Sequence, residues 1–214
     1  MDADQNLLRE GVAKERIDCV GNIMIDSLEM MRPVIEARRH HAKLKLEPKG
    51  FGVVTLHRPS NVDEPARLKR MVDMLTAVAA RLPVVFPVHP RTKRRLEETG
   101  LLAPLQGAKG VVLTEPLGYN DFMSLVFNCR YVLTDSGGVQ EESTYLGIPC
   151  ITLRDNTERP ITVTQGTNEL AKLENVDGLI AKAAAGQWKK GSIPELWDGK
   201  TAGRVADSLK KHAR

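Results

Sequence analysis

The sequence predicts an α/β fold: a doubly wound parallel sheet with helices packed on both faces. Short β-rich runs recur at 16–21, 51–57, 82–89, 110–116, 130–136 and 148–155. Most of their centres are apolar on consecutive residues, as in Val53-Val54 and Val84-Val85-Phe86, the pattern of strands buried on both faces. The stretches between several of them carry helical spacing and connect through few residues, which argues for alternating strands and helices.

In chain order, residues 1–15 read as a detached peripheral helix, followed by "RIDCVG" (16–21) as the first strand. "NIMIDSLEMMRPVIEARRHHAKLKL" (22–46) reads as one long helix, bent at Pro33. "FGVVTLH" (51–57) is the second strand, and the helix at 64–82 puts Leu68, Met71, Val72, Leu75 and Val78 on one face. Pro65 sits near its start, where the first amide needs no partner. "LPVVFPVH" and "GVVLTEP" are the next strands, then a helix at 119–129 and the strand "RYVLTDS". A helix at 137–147 stops at Gly147 with Pro149 beyond it, and "IPCITLRD" follows as the sixth strand. Residues 187–200 read as a loop before a final peripheral helix at 201–214, so residues 1–214 form a single domain.

Composition bounds the function. Thirty-one basic and 27 acidic residues leave a net charge of +4, a mild excess that fits an anionic small molecule and does not demand nucleic acid. Cys19, Cys129 and Cys150 lie far apart without a C-x-x-C pair, so neither a zinc ribbon nor a disulfide framework is expected; Cys129 and Cys150 read as buried reduced thiols. The start, "MDADQNLLREG", is acidic and polar where a signal peptide is basic and then apolar, and no apolar stretch reaches membrane-spanning length. A cytoplasmic chain with no membrane partner is expected.

Ligands of open parallel sheets bind beyond the C-terminal ends of the strands. Those ends deliver His57 and Arg58, His89 and Arg91, the turn "TDSGG", and Arg154 and Arg159. Histidines, arginine forks and a glycine turn on one edge suit a phosphate-bearing anion. Each also has a plainer reading: His57 as a strand-end histidine bonded to a carbonyl, His89 as a loop residue, Asp135 or Ser136 as an N-cap, and "RTKRRLEE" as a solvated helix face. A capping box would place Glu or Gln three residues after Ser136, and that residue is Val139. Glu142, four residues after Gly138, shares a helix face with it and is placed to reach a ligand's hydroxyls while the glycine backbone approaches a phosphate.

Rival motifs fail. "GFGVVT" lacks the third glycine and precedes a strand, so it is no dinucleotide fingerprint. "TDSGG" is not a G-x-S-x-G elbow, no P-loop is present, and no His or carboxylate cluster has metal-ligand spacing; neither metal nor cofactor is expected.

Taken together, "NLLREGVAKERIDCVGNIMIDSL", "TLHRPSNVD", "PVHPRT", "LTDSGGVQEES", "LGIPCITLRDNTERP" and "QGTNEL" resemble the non-hydrolysing UDP-N-acetylglucosamine 2-epimerases. The resemblance implies a Rossmann-like domain corresponding to the C-terminal half of a glycosyltransferase-B-type fold, with the family's N-terminal domain expected ahead of Met1. It implies His57 as the active-site histidine near the diphosphate, and Ser136, Gly137 and Gly138 as the phosphate cradle. Glu142 would bind the ribose hydroxyls, Arg159 the diphosphate side and Phe122 the uridine, with Arg58 and His89 as further binding residues. "ERPI" departs at Ile161 from the "ERPE" of many members.

The implied reaction converts UDP-N-acetylglucosamine to UDP-N-acetylmannosamine by elimination and re-addition of UDP. The family's acid/base carboxylates belong to the N-terminal domain, so the chain is expected to bind UDP or a UDP-N-acetylhexosamine and to be inactive alone. A stand-alone nucleotide-sugar-binding module, a subunit of a split enzyme and a glycosyltransferase-B relative are the alternatives. The surface facing the other domain would also suit a homodimer.

Overall fold

In a computed structural model that describes residues 2–213, six parallel strands form one sheet in the order β3-β2-β1-β4-β5-β6. They are β1 (Gly52–Thr55), β2 (Val84–Pro87), β3 (Val111–Thr114), β4 (Tyr131–Thr134), β5 (Cys150–Leu153) and β6 (Asn168–Ala171). The predicted class holds. This order reverses between β1 and β4, which makes their C-terminal ends the topological switch point where such sheets bind ligands.

The helices are α1 (Asp2–Arg9), α2 (Ile23–Arg38), α3 (His40–Lys43), α4 (Pro59–Val62), α5 (Pro65–Ala79) and α6 (Pro90–Glu98). They continue with α7 (Leu102–Gly107), α8 (Tyr119–Asn128), α9 (Gly137–Tyr145), α10 (Pro160–Thr164), α11 (Val176–Ala184) and α12 (Thr201–His212). Alternate strand residues feed two separate cores. Val54, Val84, Phe86, Leu133 and Ile151 pack under α5 and α11, whereas Val53, Val85 and Val132 pack under α2, α8 and α9. Both faces of the sheet are covered by packed apolar side chains, which is why the strands read as continuous apolar runs.

Two sequence assignments are corrected. "RIDCVG" is not a strand: after a short 3-10 turn at Lys14–Arg16 it runs as an irregular strap, held by the Arg204 side chain donating to the Val20 carbonyl at 2.7 Å. Gly21 has φ +106°, and a Cβ there would lie 2.4 Å from the Leu196 carbonyl oxygen, so the strap is fitted to the C-terminal segment and not to a sheet edge. The sixth strand is instead "NELA", which sequence reading passed over because its buried first residue is polar. Asn168 satisfies itself with bonds from Thr152 Oγ1 and to Gln140 Oε1 and Thr162 Oγ1.

The long helix expected at 22–46 runs through Pro33 and breaks at Arg39, whose left-handed φ of 43° separates α2 from α3. Cys129 and Cys150 are buried free thiols, each pushed up to about 12 by burial. Among the described residues, no helix is long and apolar enough to cross a membrane.

Candidate functional site

The switch point is built around Asp135, the residue that follows β4. Its carboxylate is fully buried and accepts from the backbone N–H of His57 (2.9 Å) and Arg58 (2.8 Å) and from Asn61 Nδ2 (3.0 Å). It also meets His57 Nδ1 at 3.0 Å. Burial works to raise this carboxyl, but the hydrogen bonds from His57, Asn61 and Arg58 outweigh it and hold the group below its ordinary value. Asp135 therefore clamps the β1 loop to the β4 turn and turns the ring so that Nε2 is the nitrogen left for the site.

His89 ends its own strand loop as the N-cap of α6, its Nδ1 accepting from Arg91 N at 3.2 Å. Its ring lies 5.2 Å from that of His57, tilted by 34°. Arg91 and Arg95 are bound to Asp63 rather than turned to a ligand, so "RTKRRLEE" is the solvated helix its charges predicted. Arg154 is likewise engaged, forking onto Glu158 at 2.7 and 2.8 Å; that bond takes the Glu158 carboxyl down to about 2.

Ser136 is the N-cap of α9, yet its side chain makes no capping hydrogen bond. Its carbonyl accepts from Gln140 Nε2 at 3.1 Å. Gly137 and Gly138 follow as the first two helical residues. Neither has positive φ, and a Cβ built on either would meet nothing within 4 Å. Neither backbone conformation nor packing demands glycine there. What remains is a helix start with unobstructed amides at the positive end of its dipole, where an anion is stabilised.

Glu142, one turn further along α9, is buried and accepts from the Tyr119 hydroxyl at 2.8 Å. Burial pushes its carboxyl up to about 7, partly opposed by that hydrogen bond and reinforced by neighbouring Glu141. Phe122, also on α8, is half-buried against the core beneath α2 and α8. Arg159 precedes α10, and its Nε lies 3.0 Å from Glu141 Oε1.

The structure thus joins His57 and Arg58 through Asp135, with His89 against the His57 ring and Ser136 next in the chain, and sets Glu142 with Tyr119 and Arg159 with Glu141 along the one helix that begins at Gly137. Sequence reading missed Asp135, Asn61 and Tyr119 as working parts. The signal for Asp135 was its place at the strand end, where it was weighed only as a helix cap.

A six-stranded parallel domain with this strand order defines a Rossmann-like domain, with an open glycine turn at its switch point. The family model for UDP-N-acetylglucosamine 2-epimerase matches residues 1–210, and the chain belongs to that family. It is 42% identical over 184 residues to a UDP-N-acetylglucosamine 2-epimerase of Methanocaldococcus jannaschii, covering 83% of this chain and 50% of the relative. It is 34% identical over 215 residues to the UDP-2,3-diacetamido-2,3-dideoxy-D-glucuronate 2-epimerase of Pseudomonas aeruginosa, covering 98% of this chain and 57% of that one. The M. jannaschii epimerase structure in complex with UDP-GlcNAc and UDP superposes with a TM-score of 0.81 at 36% identity, over 96% of this chain and 59% of that chain. The chain spans about half the length of the curated relatives it matches.

Proposed function

We propose that this chain is the UDP-binding half of a nucleotide-sugar 2-epimerase. The observation that carries the reading is the pair Gly137-Gly138: glycines with no conformational or packing reason, at the uncapped start of a helix at the switch point. In this reading the amides there and the Ser136 hydroxyl hold the diphosphate, with Arg159 beside it. His57, Arg58 and His89 line the same edge, Glu142 takes the ribose hydroxyls, and Phe122 borders the uracil.

In the whole protein, this half would stabilise the departing diphosphate while the C2 proton is removed and returned, and preorganised charge stabilisation of that kind is commonly the largest catalytic contribution. Both relatives' names carry a uridine diphosphate and a 2-epimerisation and differ in the sugar, which supports UDP as the shared ligand. Glu141 and Glu142 are held by Arg159 and Tyr119 respectively, and neither is placed to work with the other as an acid and base pair. We therefore expect the chain alone to bind and not to epimerise.

The test is calorimetric titration of UDP into the wild-type chain and its Ser136→Ala and Glu142→Ala variants. Weaker binding in both supports the reading, and unchanged affinity in both overturns it. Conversion of UDP-N-acetylglucosamine by the pure chain would refute the claim of inactivity.

A further inference from the structure

Arg159 is 44% exposed and projects beside a cavity of about 700 Å³ that Asn22, Glu141, Thr157, Ile161 and Trp197 also line. An exposed arginine samples many rotamers, and a ligand that recruits it must freeze them at the moment of binding. Here that freedom is already restricted. Glu141, whose side chain is only 11% exposed, receives Arg159 Nε at 3.0 Å, and the same carboxylate oxygen accepts from Asn22 Nδ2 at 3.0 Å. Asn22 is itself fixed, because its Oδ1 accepts from Met24 N at 2.9 Å as the cap of α2. The strap before it is jammed at Gly21 against Leu196, Thr201 and Arg204. The loop bearing Arg159 is tied to α9, the helix that carries Glu141, by Thr157 Oγ1 donating to Gln140 Oε1 at 2.6 Å.

We propose that Glu141 and Asn22 are positioning residues which hold the Arg159 guanidinium in place for the terminal phosphate of a nucleoside diphosphate. This inference rests on the proposed function. Glu141 engages Nε and the Glu158 carbonyl accepts from Nη1 at 3.2 Å, which leaves the Nη2 end of the fork to face an anion. It also explains why a strap that is no part of the sheet is pinned so closely: it delivers Asn22 to the back of the site.

The experiment is titration of the intact chain with UDP, UMP and uridine, for wild type, Asn22→Ala, Glu141→Gln, Arg159→Ala and the Glu141→Gln/Arg159→Ala double variant. Arg159→Ala is expected to remove most of the preference for UDP over UMP. Glu141→Gln keeps the shape and the Asn22 contact but loses the charge; it should reduce that preference roughly three- to tenfold, the range for a charge-assisted contact weakened but not abolished. Asn22→Ala should act in the same direction and less strongly. Uridine affinity should not change in any of them, and Glu141→Gln should have no further effect once Arg159 is alanine.

A Glu141→Gln variant with wild-type preference, with an equal loss on the Arg159→Ala background, or with an equal loss of uridine affinity overturns the positioning role. In those cases wild-type UDP binding stands, so the functional reading survives. A wild-type chain that does not bind UDP overturns both.

Discussion

The phenol of Tyr119 donates to Oε1 of Glu142 at 2.8 Å, and among the described residues it is the one side-chain hydrogen bond offered to a carboxylate that burial otherwise disfavours. Because the folded-state carboxyl titrates near 7, above its ordinary 4.5, the stability of its protonated form is fully present below about pH 4.5 and is lost as pH rises through 7. Holding the charge at pH 8 costs on the order of 2–3 kcal/mol. Glu142→Gln should therefore raise the melting temperature at pH 8 by roughly 5 °C and leave it nearly unchanged at pH 4.5. Thermal melts across that range check it; a gain that does not depend on pH would sink the argument.

Asp135 works in the opposite direction. Its carboxyl is held below its ordinary value, so what it contributes is present above about pH 3.8 and is lost as pH falls through the folded-state value. Asp135→Ala leaves the N–H groups of His57 and Arg58 and the Asn61 amide without their acceptor in a buried place. The expected cost is about 3 kcal/mol or more at neutral pH. Urea unfolding between pH 7 and pH 3 measures it: the gap from wild type should be largest at pH 7 and shrink as pH falls below about 3.8. A gap under about 0.5 kcal/mol at pH 7 would mean the clamp is not what joins the two loops.

The sheet was legible because burial on both faces writes itself as consecutive apolar residues, and Val53 and Val54 do go to opposite cores. Legibility failed where polar atoms replace apolar burial. Asn168 sits fully buried inside β6 with its side chain bonded on three sides, and no periodicity marks it. "RIDCVG" failed the other way, looking like a strand while its backbone is spoken for by Arg204. At the site, the glycine pair and the missing capping box were readable, because an absent cap and an unneeded glycine are local facts. The contacts of Asp135 with the β1 loop and of Glu142 with Tyr119 cross 78 and 23 residues of sequence, and only the fold creates them.

Gly52 illustrates a glycine of the other kind. It opens β1 opposite Tyr131 of β4, and a Cβ there would lie 2.4 Å from Tyr131 Cζ. Tyr131 is fully buried on the central strand pair and has no room to withdraw. Gly52→Ala should cost roughly 2–3 kcal/mol by overpacking. Pairing it with Tyr131→Phe, which removes the hydroxyl 2.7 Å from that Cβ but not the ring, should recover only part of the loss. Denaturation of the two variants checks this, and an undiminished midpoint in Gly52→Ala would show that the strands spread at little cost.

Gly138→Ala separates the two kinds. With no atom within 4 Å of the added methyl and a backbone already in a helix, nothing in the fold opposes the change. Alanine's higher helix propensity should stabilise the chain by a few tenths to about 1 kcal/mol. The same methyl would occupy the open face through which a phosphate oxygen reaches the helix amides, so UDP affinity should fall about tenfold or more. A melt and a UDP titration on one preparation decide it, since the prediction is a gain in the first and a loss in the second. If stability rises while UDP affinity holds, the glycine pair is not a phosphate cradle. If both fall, the glycine serves the fold in a way its open surroundings do not reveal.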